Sequence, residues 1–358
     1  VNDDCLKLTV YFGESDRVDH HLLSDALVDV FEAQRVHVAM LVRAVEGFGL
    51  EQALRTDRFL SLSEDLPLVA VAVDERARIE ALLPRVTELV TGGLVTLERA
   101  RLLHDALGLP DTPDPADETT KLSIYLGRDE KVRGRPAFVA VVELLHALGF
   151  AGATALLGVD GMAHRARRRA RFLSGNDAVP LMVVALGGAD AVQRALPELD
   201  RLLTEPIATL ERVRVCKRDG TLLAPPTHLP ERDDAGLGIW QKLTVHAAEH
   251  ARHRGRPLHV ELIRQLRAAG AGGATTLRGV YGFSGGHKPH GDRLFRVRRR
   301  VPVMTTIVDG PERIRRWFEI VDRVTDETGL VTSELVPAYH AVASGGRVGG
   351  VRLARPPR

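Results

Sequence analysis

Three sets of landmarks recur along this chain at nearly fixed separations, and that recurrence limits the possible folds more than any other property. From Tyr11 to Val45 is 34 residues, and Tyr125 to Val159 and His246 to Val280 repeat the interval. Arg58, Arg171 and Arg293 each stand 9 residues before a proline, at Pro67, Pro180 and Pro302. Agreement at several landmarks without gaps is the mark of a triplicated unit rather than of three unrelated domains. The 358 residues divide into repeats at 1–104, 121–216 and 242–343. The joining segments 105–120 and 217–241 hold clustered prolines and read as extended tethers. The tail 344–358, rich in glycine, arginine and proline, reads as disordered.

Each repeat carries the same alternation of periods. Leu8, Val10 and Phe12 alternate with Lys7, Thr9 and Tyr11, the pattern of a strand with one buried face, and Gly13 ends it. Leu23, Leu27, Val30 and Phe31 follow at helical spacing, then an apolar run to Val45 that stops at Gly47. After a polar stretch, Leu66 to Val73 is a third strand, Ile79 to Val90 a second helix and Leu94 to Leu103 a fourth strand. The order βαββαβ predicts an α+β unit of ferredoxin-like type, with both helices on one face of an antiparallel sheet. The other face of each sheet then needs cover.

Bulk properties exclude several functions. The 49 basic and 47 acidic residues leave a net charge of +2, which argues against generic polyanion binding. Cys5 and Cys216 are the only cysteines, too few for a disulfide framework, and no apolar run approaches the roughly 20 residues of a membrane span. The start, Val1-Asn-Asp-Asp, is no signal peptide, so the expectation is a soluble, cytoplasmic protein.

Lys7-Leu-Thr-Val-Tyr-Phe-Gly13, Arg43-Ala-Val-Glu-Gly-Phe-Gly49, Leu62-Ser-Glu-Asp-Leu-Pro-Leu68 and Arg254-Gly-Arg-Pro-Leu258 together resemble the PII-like family known as domain of unknown function 190. The resemblance spans all three repeats. It implies ferredoxin-like domains assembled as a threefold ring, here an intramolecular pseudo-trimer. It also implies ligand clefts between neighbouring units, a long loop after the second strand, and regulation of a partner such as a transporter or ion channel. A small anionic ligand, with a nucleotide among the candidates, is the expected ligand; no cofactor and no catalytic activity are expected.

The candidate ligand-binding residues follow from the turns and the repeated basic positions. Gly47, Phe48 and Gly49, with Gly161, Gly282 and Phe283, mark the turn after the second strand, where glycine permits positive φ or close approach. Arg43 and Arg278 occupy equivalent positions before it, with Leu157 in the second repeat. Arg58, Arg171 and Arg293 close the loops. Lys7, Lys121 and Lys242 open the first strands, either as solvated strand starts or as an ammonium at each cleft. The arginine-rich loops 164–171 and 287–300 support an alternative, binding of nucleic acid or an anionic membrane surface. The histidines, including His246, His250 and His253, lack carboxylate or thiolate partners at ligand spacing and read as incidental.

Overall fold

The computed structural model of the chain describes residues 2–57, 65–104, 107, 119–163, 166–169, 179–285, 288–291 and 301–355. In the first repeat the strand Asn2–Gly13 is central, pairing antiparallel with Pro67–Glu75 on one side and Gly93–Leu103 on the other. Pro67–Glu75 pairs in turn with Val38–Arg43. The second repeat builds the same order from Thr119–Gly127, Pro180–Gly188, Ile207–Arg218 and Gly152–Leu157. The third does so from Trp240–Ala248, Pro302–Asp309, Leu330–Val336 and Ala274–Arg278.

The two-residue period of a strand decides what each face does. Leu6, Leu8, Val10 and Phe12 point to the side covered by α1 (Leu23–Ala33) and α2 (Arg76–Leu89), where they join Leu27, Phe31, Ile79, Leu82 and Val86 in one buried core. The corresponding pairs are α3 (Ala137–Ala147) with α4 (Ala189–Leu202), and α5 (Leu258–Ala268) with α6 (Pro311–Val324). Among the described residues no helix is long and apolar enough to cross a membrane.

The helix-free faces are covered by the other repeats. One buried cluster joins Cys5, Val38, Met40, Val42 and Val71 of repeat 1 to Tyr125, Met182 and Ile207 of repeat 2 and Met304 of repeat 3. Two sets of strand pairings link the repeats cyclically. The end of the last strand, or in repeat 3 the strand Ala338–Ala343 that follows it, pairs with the start of the last strand of the next repeat: Arg101–Leu103 with Ala208–Leu210, Arg214–Arg218 with Leu330–Ser333, and Ala338–Val342 with Gly93–Leu97. The short strands at the glycine turns do likewise. Glu46–Phe48 pairs with Ala274–Thr276, Tyr281–Ser284 with Gly152–Ala155, and Asp160–Ala163 with Val38–Leu41.

Two expectations are corrected. The tail is not disordered over its described length: Gly346–Gly350 pairs with Ala338–Ala343, and Ala354 is buried with Leu229 and Ile239. Its apolar residues Val351 and Leu353 have the core of repeat 1 to pack on, which composition does not reveal. The segment 217–241 is not a free tether either. Lys217 is buried on Asp322, Thr221–Leu222 pairs back on Lys217–Arg218, and Ile239 is buried. Most of 105–120 lies outside the described residues, although Leu107 is buried in the core of repeat 2 and the next strand begins at Thr119.

Candidate functional site

Lys7, Lys121 and Lys242 point to the helix-free side of their strands, and each meets a glutamate of the following repeat. Lys7 lies 3.1 Å from Glu211, Lys121 pairs with Glu334, and Lys242 pairs with Glu98. Within repeats Lys121 is 2.9 Å from Glu211 and Lys242 is 3.2 Å from Glu334. The result is a buried ring of alternating charge, three ammoniums and three carboxylates, where all three repeats meet. Burial alone would push the Lys7 and Lys242 ammoniums down, but the facing carboxylates hold both above the ordinary lysine value. Burial likewise works against ionised Glu98, and the neighbouring ammoniums, Lys242 foremost, bring it well below the usual carboxylate range. The lysines are therefore placed in this ring and not at the inter-repeat clefts, because only carboxylates at the junction can compensate an ammonium so far from water.

Glu98, Glu211 and Glu334 bring carboxylate atoms within 4.8 Å of one another. The three ammoniums interleaved among them already balance their charge, so the ring is poorly suited to a metal. Sequence reasoning missed these glutamates. Their signal was present, since they stand 31, 31 and 32 residues after Pro67, Pro180 and Pro302.

The glycine turns do a structural task. A Cβ on Gly161 would lie 2.3 Å from the Ala39 carbonyl oxygen, one on Gly282 2.1 Å from that of Ala153, and one on Gly47 2.7 Å from that of Ala274. Gly161 and Gly282 also hold φ of 153° and 155°. Each glycine lets its strand cross closely onto the neighbouring repeat. The residue after it then enters the neighbour's core: Phe48 that of repeat 3, Met162 that of repeat 1 and Phe283 that of repeat 2. Burying such a side chain contributes roughly 1.5–3 kcal/mol. These positions, which the sequence marks for ligand contacts, interlock the repeats.

Arg43 is exposed and pairs with Glu14. Arg278 is held by Asp57 of repeat 1 at 2.9 Å and by Glu249 at 2.8 Å. Arg58, Arg171 and Arg293 lie outside the described residues, as do most of the basic loops; Ala166–Arg169 forms a strand against Asp160–Ala163. His246 is buried in its strand beside the ring, where burial lowers its imidazole to about 4. Its equivalents in the other repeats are Tyr11 and Tyr125.

A cavity of about 360 Å³ opens between repeats 1 and 3. Phe12, Gly13, Phe48, Gly49, Gly92 and Gly93 form the repeat 1 side, and Gly272, Gly273, Thr306, Val308 and Tyr339 the repeat 3 side. Leu50, Glu51, Ala53 and Arg55 add a wall from the connection after the turn. The lining holds Arg17 and Arg55 alongside Asp16 and Glu51, so its charge is balanced, and Arg55 pairs with Asp65 at 2.9 Å. Burial pushes the Asp16 carboxyl up, against the hydrogen bond that Gly13 N donates to it at 2.8 Å. The equivalent junctions differ in side chains. Gly92, six residues before a ring glutamate, corresponds to Glu205 and Thr328, and Gly272, by strand register, to His37 and Ala151.

The family model for DUF190, described as "Uncharacterized ACR, COG1993", matches residues 5–102, 119–215 and 240–338. The chain belongs to the DUF190 family. A "UPF0166 protein" of Aquifex aeolicus (strain VF5) is 28% identical over 98 residues, which is 27% of this chain and 91% of that protein. A stretch of this chain about one repeat long therefore matches nearly the whole relative. Among solved structures, an aspartate kinase from Synechocystis aligns at a TM-score of 0.26 and 10% identity, over 96% of this chain and 45% of that one. An anthrone oxidase-like protein aligns at 0.17 and 13%, over 58% of this chain and 92% of that one. Neither score supports an argument about this DUF190 chain.

Proposed function

We propose that the chain is a PII-like regulatory protein, three ferredoxin-like repeats forming an intramolecular pseudo-trimer that binds one small ligand in the cleft between repeats 1 and 3. The cavity carries this reading. At about 360 Å³ it falls at the lower end of the roughly 300–1,000 Å³ usual for small-molecule pockets. Its glycine-rich walls bring backbone close to an occupant, its apolar patches suit a planar ring, and Arg17 together with Arg55, which would exchange its contact with Asp65, supplies donors for a phosphate or carboxylate. The balanced charge favours a mononucleotide-sized ligand over a triphosphate. Because the wall at 50–55 belongs to the connection between the second and third strands, an occupant would bias that connection and the surface it offers a protein target.

Calorimetry with a panel of adenine and guanine mononucleotides tests the reading, alongside Gly92→Trp. A Cβ at Gly92, a residue of the cleft lining, meets no atom of the described residues within 4 Å, so a side chain can be added there without a clash at its first atom. Binding by the wild type and its loss in Gly92→Trp is the expected result. Failure of every nucleotide to bind, or equal affinity in the variant, would overturn it.

A further inference from the structure

A second concavity, of about 800 Å³, lies on the outer side of repeat 1, away from the inter-repeat cleft. Four separate stretches of chain build it: α2, Arg99 of the strand Gly93–Leu103, the segment 233–237 before repeat 3, and the strap 351–355 that follows the last strand. Its floor is apolar. Leu83 and Pro84 come from α2, Leu237 from the middle segment, and Val351 and Leu353 from the strap, the last two packed on the core of repeat 1.

The strap is fixed in place. Ala354 N donates to Pro337 O at 2.8 Å, Arg99 donates to Ala354 O at 3.1 Å, and Arg355 N donates to Asp233 Oδ2 at 2.8 Å. The rim is cationic: Arg76, Arg99, Arg352 and Arg355 face Glu80 and Asp233. Both carboxylates are engaged, Glu80 by Arg76 at 2.8 Å and Asp233 by the backbone N–H groups of Ala235, Leu237 and Arg355. The Arg352 and Arg355 side chains are exposed at the edge of an apolar floor.

We infer that this groove is a binding site for an amphipathic organic anion, its head on Arg352 and Arg355 and its apolar body on Leu83, Pro84 and Leu353. A guanidinium offers paired donors that match carboxylate, sulfonate or phosphate oxygens, and the adjoining floor rewards an attached hydrocarbon or aromatic group. The site is independent of the cleft between repeats 1 and 3.

The test uses the full chain and 8-anilinonaphthalene-1-sulfonate as the fluorescent probe, with Arg352→Glu/Arg355→Glu and Gly92→Trp as variants. Saturable binding is expected, weakened by roughly tenfold in the arginine variant, where two attractions become repulsions, and unchanged in Gly92→Trp. Octanoate should displace the probe at concentrations where inorganic phosphate does not. Circular dichroism of the arginine variant checks that it remains folded; these side chains are exposed, so retention of structure is expected. Undiminished probe affinity in the folded arginine variant, or equal displacement by phosphate, would overturn the assignment. Loss of probe binding in Gly92→Trp alone would place the probe in the cleft and also overturn it.

Discussion

Replacing Lys121 by methionine removes one ammonium from the ring and leaves its volume nearly filled. Glu211 then keeps Lys7 at 3.1 Å and Glu334 keeps Lys242 at 3.2 Å, so each carboxylate retains one partner, but three buried carboxylates share two ammoniums. Removing one member of a buried ion pair costs about 3–5 kcal/mol, because the remaining charge stays out of water. The retained contacts set the expectation at the lower end, about 3 kcal/mol. Urea unfolding followed by circular dichroism measures it, with Arg85→Met as the comparison, since the exposed Arg85–Glu88 pair should contribute no more than about 1 kcal/mol. A combined variant with methionine at all three lysines and leucine at all three glutamates should be near wild-type stability or above it, by up to about 4 kcal/mol. A loss below about 1 kcal/mol for Lys121→Met would refute the reasoning, because it would mean that the ring is solvated.

Acid should act first through His246. Its folded value, about 4, lies below the ordinary 6.5, so its contribution is complete above pH 6.5 and is lost as pH falls towards 4, by about 3 kcal/mol in all. His340, also lowered by burial, acts with the same sign. The lowered ring glutamates Glu98 and Glu334 lose their contribution only below about pH 4.5, the ordinary value from which they depart. Stability measured from pH 7.5 to 4.5 should therefore fall less in His246→Tyr than in wild type; identical slopes would contradict this. Gly282→Ala should cost several times more than Gly310→Ala, because its Cβ meets Ala153 O at 2.1 Å whereas that of Gly310 meets no described atom within 4 Å. Strain at such a backbone position alone is of order 1–3 kcal/mol, and thermal melts of the two variants decide the matter.

The secondary structure and its threefold recurrence were legible because they depend on local period: Leu6, Leu8 and Val10 alternate in any strand with one apolar face. The fate of the intervening residues was not, because it depends on partners more than a hundred positions away. Lys7 reads as a solvated strand start until Glu211 is brought beside it. Phe48 reads as a turn residue until the core of repeat 3 closes over it. Resemblance alone points to clefts between repeats, and the glycines at 92, 93, 272 and 273 that line this one have no distinguishing pattern in one dimension. The packing of Val351 and Leu353 was hidden by the glycine and arginine around them.

Of the three junctions, the chain itself passes from repeat 1 to 2 and from 2 to 3; repeat 3 returns to repeat 1 through non-covalent contacts, among them the pairings of Ala338–Val342 and Glu46–Phe48 and the ion pair of Arg278 with Asp57. That return is the clasp of a bracelet, and the 360 Å³ cavity sits in it. Unfastening it stretches no connecting peptide, and refastening is unimolecular, so its closure does not depend on protein concentration. A molecule held across the clasp draws its leverage from that arrangement: it ties together the two repeats that covalent structure leaves free to part.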